Sequence, residues 1–325
     1  MSRYLGLDLG GTNIKSAIVD LSTDAIEVVT TATRPSAAAD GPSSVVQQLI
    51  AAGQEMIEGH GKVEAVGVGV PGLFNFETGE VVFFTNLPGP WEGFPLRSEL
   101  AEGIGLPTTL INDARAFTLA ESRVGAAAGC QNVACITLGT GVGGGLFING
   151  RLHFGAFGIG GEIGHQTLAN DGYLCGCGNP GCLEAFTRPP AVAARANQES
   201  FEAVIAAAKR GDPEAQAALD DAIEYLGIGL ANVVTLIGPE RIVVGGGGAE
   251  AGQGFIDAVQ ESVRSRVTLV PRDKVTVVAA TLGSTAGAVG AALAAAEPAA
   301  SDTAFLTGTI PSATNRRKEA TEPRP

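Results

Sequence analysis

Asp8-Leu9-Gly10-Gly11-Thr12-Asn13-Ile14-Lys15 is the stretch on which the fold turns. Arg3–Asp8 before it predicts a buried strand, Gly10-Gly11 a tight turn, and Ile14–Asp20 a second strand. Glycine-exposed amides in such a turn can converge on phosphate oxygens, and Thr12 adds a hydroxyl. Asp8, at the strand end, stands where a carboxylate can hold a hydrated Mg²⁺ beside them. The arrangement returns downstream. Val133–Leu138 predicts a strand, Gly139-Thr140-Gly141-Val142-Gly143-Gly144-Gly145 a glycine turn, and Leu146–Ile148 another strand. Either turn alone also fits an ordinary hairpin. The pair, a lobe's length apart, points to a duplicated α/β architecture with phosphate-binding turns in both halves. Gly139, Gly141 and Gly144 also match G-x-G-x-x-G, but that dinucleotide fingerprint opens a helix, whereas Leu146–Gly150 reads as strand and turn.

Composition narrows the possibilities. Glycine supplies 46 of 325 residues, yet 45% of the chain is hydrophobic, which excludes collagen-like repeats and low-complexity disorder. A net charge of −13 argues against nucleic acid or an anionic membrane as the main partner. The opening Met1-Ser2-Arg3 leads directly into the first strand without an export signal, and no apolar run of spanning length occurs, so a cytoplasmic protein is expected.

Further along, Arg34–Pro42 reads as a loop, Ser43–Gly59 as a helix and Ala65–Val70 as a strand ending at Pro71-Gly72. Thr108–Ile111 is a short strand leading to Asn112-Asp113, and Arg115–Val124 a helix. Helices dominate from Pro189 to Ile237, one of them opened by Asp212-Pro213. Arg241–Val244 and Val275–Ala279 read as strands, and Gly283–Ala296 as an Ala/Gly-rich helix. The expected organisation is an N-terminal lobe over 1–112 and a C-terminal lobe over 113–282. The helix of 283–298 would return to the first lobe, leaving a flexible tail over 299–325.

Five cysteines make an odd count, and three fall between 175 and 182. With His165 they give H-x₉-C-x-C-x₄-C: His165, Cys175, Cys177 and Cys182. Three thiolates and an imidazole in a glycine-rich loop (155–184) suit tetrahedral structural Zn²⁺ in a reducing compartment.

These segments together resemble the ROK sugar kinases, and within that family the bacterial ATP-dependent glucokinases. The resemblance rests on Asp8–Lys15, Gly67–Gly72 (GVGVPG), Ile111–Ala114 (INDA), Leu138–Gly145 (LGTGVGGG), Gly160–His165 (GGEIGH) and Cys175–Glu184 (CGCGNPGCLE). It implies an actin-like ATPase (ribonuclease H-like) fold, two lobes with ATP in the cleft between them. It also implies donor contacts at Asp8, Gly10, Gly11, Thr12, Asn13, Lys15, Thr140, Gly141, Gly143 and Gly144, with Gly245, Gly246 and Gly247 on the adenosine side. On its residues alone, Asp113 fits a helix N-cap; the resemblance makes it the general base for a sugar hydroxyl. Asn86, Asn112, Glu162, His165 and Glu184 match sugar-binding positions, and a homodimer or homotetramer is the family's common assembly.

The implied activity is ATP-dependent phosphorylation of a hexose, glucose foremost, at C6. N-acetylmannosamine, N-acetylglucosamine, fructose or allose could replace glucose, because such selectivity rests on one or two hydroxyls. Family members that are sugar-responsive repressors carry a DNA-binding helix-turn-helix ahead of the first turn. Asp8 leaves no room for one, and a repressor is not expected.

Overall fold

A computed structural model describes residues 2–22, 25–85 and 87–297. The chain forms two compact units. The first runs to Ala120 and takes in Ala156–Gly158 and the chain from Ser284; the second comprises Glu121–Gly155 and Ile159–Gly283. The division falls inside a helix, after Ala120, not at Asn112. The expected tail over 299–325 lies outside the described residues, as does Asn86.

In the first unit the strands are β1 (Arg3–Leu9), β2 (Asn13–Asp20), β3 (Glu27–Pro35), β4 (Ala65–Val70), the β5/β6 hairpin (Gly72–Phe74, Val81–Phe84) and β7 (Thr108–Asn112). The helices are α1 (Pro42–His60), α2 (Leu96–Ile104) and α3 (Asp113–Arg123). The main sheet runs β3-β2-β1-β4-β7. β1 pairs antiparallel with β2 and parallel with β4, which pairs parallel with β7.

In the second unit the strands are β8 (Val133–Leu138), β9 (Val142–Ile148), β10 (Arg151–Leu152), β11 (Arg241–Gly246) and β12 (Val277–Ala279). Its helices are α4 (Leu183–Thr187), α5 (Pro189–Arg195), α6 (Phe201–Lys209), α7 (Pro213–Ile237), α8 (Gly247–Glu250) and α9 (Gln253–Arg266). The sheet order, β10-β9-β8-β11-β12, repeats that of the first unit, as do the strand directions. Each half therefore opens with a hairpin whose first strand is flanked by a parallel one.

The last helix, α10 (Ala286–Ala296), belongs to the first unit. Its alanines favour helix and leave almost no side chain to hold it off the sheet. A Cβ at Gly6 would lie 1.8 Å from the Ala288 carbonyl oxygen, and one at Gly67 would lie 1.8 Å from that of Ala291. Both glycines are sites of backbone-to-backbone contact. Capping elsewhere follows expectation: Asp212 accepts from the amides of Glu214 and Ala215, both at 3.0 Å, with Pro213 opening α7.

Several elements depart from the sequence reading. β3 extends through Arg34 to Pro35, where a loop was expected; it is an edge strand of mostly exposed Thr and Val without clean alternation. The β5/β6 hairpin and α2 were not anticipated. α9 was also missed, although Phe255, Ile256, Val259 and Val263 line its buried face at helical spacing. The second glycine turn ends at Gly141, and Gly143–Gly145 belong to β9, paired with Thr137, Ile136 and Cys135.

Candidate active site

Parallel register assembles part of a site in each unit. In the first, Asp8 pairs with Gly69, and Val70 with Asn112, bringing Asp8 and the Asn112-Asp113 corner to the same edge of the sheet. In the second, Leu138 pairs with Gly246, so the turn after β8 and the glycines at the end of β11 share an edge.

The first turn is closed by the Gly10 amide donating to the Asn13 carbonyl at 2.9 Å. Gly11, Thr12 and Asn13 are exposed beside it. The second closes alike, from the Gly139 amide to the Gly141 carbonyl at 2.9 Å, with Thr140 exposed. None of these turn glycines has positive φ. Gly10 and Gly141 supply clearance, their Cβ positions lying 3.0 Å from the Asn13 carbonyl oxygen and 2.6 Å from Glu184 Oε2, whereas Gly139 faces open space.

Asp8 sits in a cradle that side chains would fill. A Cβ at Gly287 would lie 2.5 Å from its carboxylate, and one at Gly69 would lie 3.3 Å from Oδ1. Burial raises its carboxyl to about 6, against the pull of the Lys15 ammonium, its cross-strand partner. A half-buried anion charged at neutral pH suits a cation site, so these residues fit a hydrated Mg²⁺.

Asp113 begins α3 and shares the hydrogen bonding of its first turn with its neighbour. Asn112 Oδ1 accepts from the Arg115 amide at 3.2 Å, while its Nδ2 donates to the Gly72 carbonyl at 3.3 Å. Asp113 Oδ1 accepts from the adjacent Ala114 amide at 2.8 Å. The helix start is thus satisfied by both side chains, Asn112 taking the Arg115 amide and Asp113 that of Ala114.

In the second unit His165, Cys175, Cys177 and Cys182 present ligand atoms within 4.8 Å of one another. Cys177 Sγ lies 3.7 Å from Cys182 Sγ, and Cys175 Sγ lies 3.6 Å from His165 Nδ1. Tetrahedral Zn²⁺ bonded at about 2.3 Å to sulfur and about 2.0 Å to nitrogen requires ligand separations of roughly 3.5–3.8 Å, so the donors fit that ion. Left-handed Gly178 and Gly181 fold the loop around them; a Cβ at Gly181 would lie 1.7 Å from the Ala169 carbonyl oxygen. Burial pushes the Cys175 and Cys182 thiols up, favouring the protonated forms when no metal is bound.

Glu184 joins this knot to the second turn, a link the sequence did not reveal. Its Oε2 accepts from the Val142 amide at 2.8 Å, and Cys175 Sγ donates to its Oε1 at 3.2 Å. A Cβ at Gly141 would lie 2.6 Å from Oε2, which explains that glycine. Glu162 precedes the short 3₁₀ turn Ile163–His165, whose last amide bonds back to the Glu162 carbonyl at 3.0 Å. Glu162, His165 and Glu184 therefore belong to one loop system.

At Gly144 the visible constraint is packing. A Cβ there would lie 2.5 Å from the Gly161 carbonyl oxygen. Gly245 is a buried strand residue, whereas Gly246 is left-handed, with 2.3 Å between its Cβ position and the Leu138 carbonyl oxygen.

Two sheets of one strand order, each opening through a glycine-turn hairpin, define the actin-like ATPase class. The ROK family model matches residues 4–297, and the chain belongs to that family. It is 35% identical to a glucokinase of Streptomyces coelicolor over 92% of this chain and 99% of the relative. Among solved structures it is similar to a ROK hexokinase from Thermus thermophilus (TM-score 0.80, 35% identity, 90% of this chain and 98% of that one). It is also similar to a ROK family glucokinase from Streptomyces griseus in complex with glucose and AMPPNP (TM-score 0.78, 32% identity, 91% and 100%). No helix among the described residues is long and apolar enough to cross a membrane.

Proposed function

We propose that this protein transfers the γ-phosphoryl group of ATP to the C6 hydroxyl of a hexose, with glucose the preferred acceptor. Asp113 accepts the hydroxyl proton as the oxygen attacks, and Asn112 hydrogen-bonds a neighbouring hydroxyl. The observation that supports this assignment is the parallel register that brings Asp8 and the Asn112-Asp113 corner to one edge of the sheet. Glu162, His165 and Glu184 grip the remaining hydroxyls, with Asn86 beyond the described residues as a further contact.

Phosphoryl transfer is chiefly positioning and neutralisation of charge. The exposed amides and hydroxyls of Gly11, Thr12 and Thr140 orient donor phosphates, and Lys15 adds a positive charge beside Asp8. Asp8 would hold Mg²⁺ through water, and a bound Mg²⁺ neutralises phosphate charge. His165, Cys175, Cys177 and Cys182 would hold Zn²⁺, which acts structurally by fixing the loop that carries Glu162 and Glu184. A cytoplasmic location keeps those thiols reduced. The net charge of −13 weighs against nucleic acid and anionic membranes as partners, and a homodimer or homotetramer is the assembly expected from the family.

ADP release measured across glucose, mannose, fructose, N-acetylglucosamine and N-acetylmannosamine tests the substrate. Glucose should show the highest kcat/KM; a clear preference for an amino sugar or fructose would refute it. Asp113→Asn should lower kcat by roughly 10²–10⁴ with the melting temperature retained. Near-normal turnover in that folded variant would remove Asp113 from the mechanism.

A further inference from the structure

The first glycine turn is held from a quarter that its own motif does not mark. Directly after Pro35, the last residue of β3, comes Ser36, which is fully buried. Its hydroxyl donates to the Gly11 carbonyl at 3.1 Å, and its amide donates to the Thr12 carbonyl at 2.9 Å. One residue, 25 positions beyond Gly11, thus takes two successive carbonyls of the turn. The next carbonyl, that of Asn13, is taken by the Gly10 amide.

Peptide planarity converts these bonds into a direction. In a trans peptide the N–H points opposite to the C=O. Holding the Gly11 carbonyl therefore sets the plane that carries the Thr12 amide, and holding the Thr12 carbonyl sets that of the Asn13 amide. Both amides face away from Ser36. Gly11, Thr12 and Asn13 are exposed, so burial of their own side chains cannot fix those planes. Adjacent glycines would otherwise leave the turn several conformations, and amides aligned in advance bind an anion without reorganising.

The placing of Ser36 is specific. β3 pairs with β2 so that Arg34 stands opposite Ile14 and Pro35 opposite Asn13, which brings the following residue opposite Thr12. Ala37 comes next in the left-handed region, at φ 53° and ψ 33°, a conformation that costs an alanine energy. Such residues persist where their surroundings over-determine them. Resting on the kinase reading above, we propose that Ser36 is a positioning residue for phosphoryl transfer. It locks the first turn so that the Thr12 and Asn13 amides are aligned on the donor phosphates before ATP arrives. The exposed edge strand β3 thereby gains a function, as the arm that carries Ser36.

The test uses the full-length, metal-loaded protein, with ATP and glucose varied in turn. Ser36→Ala removes the hydroxyl and keeps the amide bond to Thr12. It should raise KM for ATP by roughly three- to tenfold, the range that one neutral hydrogen bond spans, while KM for glucose stays within about twofold. Ser36→Cys, close to serine in shape but only a weak donor, should move KM for ATP the same way and serves if alanine impairs folding. An unchanged KM for ATP in both folded variants would overturn the proposal. So would a parallel rise in both KM values, which marks a general loosening of the first unit. A wild-type protein that phosphorylates no hexose with ATP would instead refute the kinase reading itself.

Discussion

Glycines at 69 and 287 leave Asp8 room for its carboxylate, and burial lifts its carboxyl from 3.8 to about 6. Between those values the folded protein binds more protons at Asp8 than the unfolded chain does. The sign follows: this group's contribution to stability falls as pH rises from about 4 to about 6, then stays at its lower level. Asp8→Asn should therefore stabilise the metal-free, nucleotide-free protein at pH 7.5 by roughly 1–3 kcal/mol. The difference should vanish below pH 4 in thermal melts, while turnover collapses at every pH. Asp20 behaves oppositely. The Ser22 hydroxyl and the Arg3 guanidinium hold its carboxyl down at about 2, so its stabilisation is complete above about 4 and is lost as pH falls towards 2. The sequence marks Asp8 because a carboxylate ends an apolar strand before two glycines. It could not mark Asn112 as the cap of α3, because Asn112 and Asp113 are both good capping residues and adjacent.

At the scale of elements, glycine separates into two kinds. Gly6 and Gly67 are where α10 rests on β1 and β4, main chain against main chain. Gly67→Ala should cost about 3 kcal/mol or more, or prevent folding, because the carbonyl it would strike belongs to a helix that cannot shift alone. Gly59, in the last turns of α1, has nothing within 4 Å of its Cβ position. Gly59→Ala should be neutral or stabilising by up to about 1 kcal/mol. Urea denaturation of both variants checks the contrast. The cysteine loop depends differently on its surroundings, since isolated bridges such as Thr167–Cys182 and Leu174–Pro180, rather than ladders, hold it. Metal removal should lower the melting temperature and raise KM for glucose together, because the loop and Glu184 are positioned as one. Glu184→Ala should raise KM for both glucose and ATP, since its other oxygen holds the Val142 amide beside the donor turn. Initial-rate kinetics with each substrate varied would show whether only the sugar term moves, which would remove that second role. The glycine turns and cysteine spacing were legible because they are local. Glu184's link to Val142 spans 42 residues of sequence, and no local pattern reports it. β3 was missed for a different reason: an edge strand needs no apolar face to be held.

For the whole molecule, a charge of −13 means the long-range field opposes an anionic donor, and local amides must overcome it. Screening weakens the opposition more than the contacts. Raising NaCl from about 10 to about 150 mM should therefore leave KM for neutral glucose unchanged and lower KM for ATP, by about twofold. A rise in KM for ATP would show that exposed cationic contacts dominate donor binding. The strand order shared by the two sheets accounts for much of what the sequence revealed: one hairpin, read once, could be recognised again. The division between units was less legible, because α3 crosses it without interruption.

The seating of α10 on β1 and β4 also sets an order of assembly during synthesis. Both strands emerge early from the ribosome, but their covering helix does not exist until residue 296 has been made. Making residues 121–285 alone takes on the order of 10–30 seconds at about 5–20 residues per second. Through that interval the apolar face around Gly6 and Gly67 lacks its native cover. The second unit, finished before α10, can reach its fold while the first still waits.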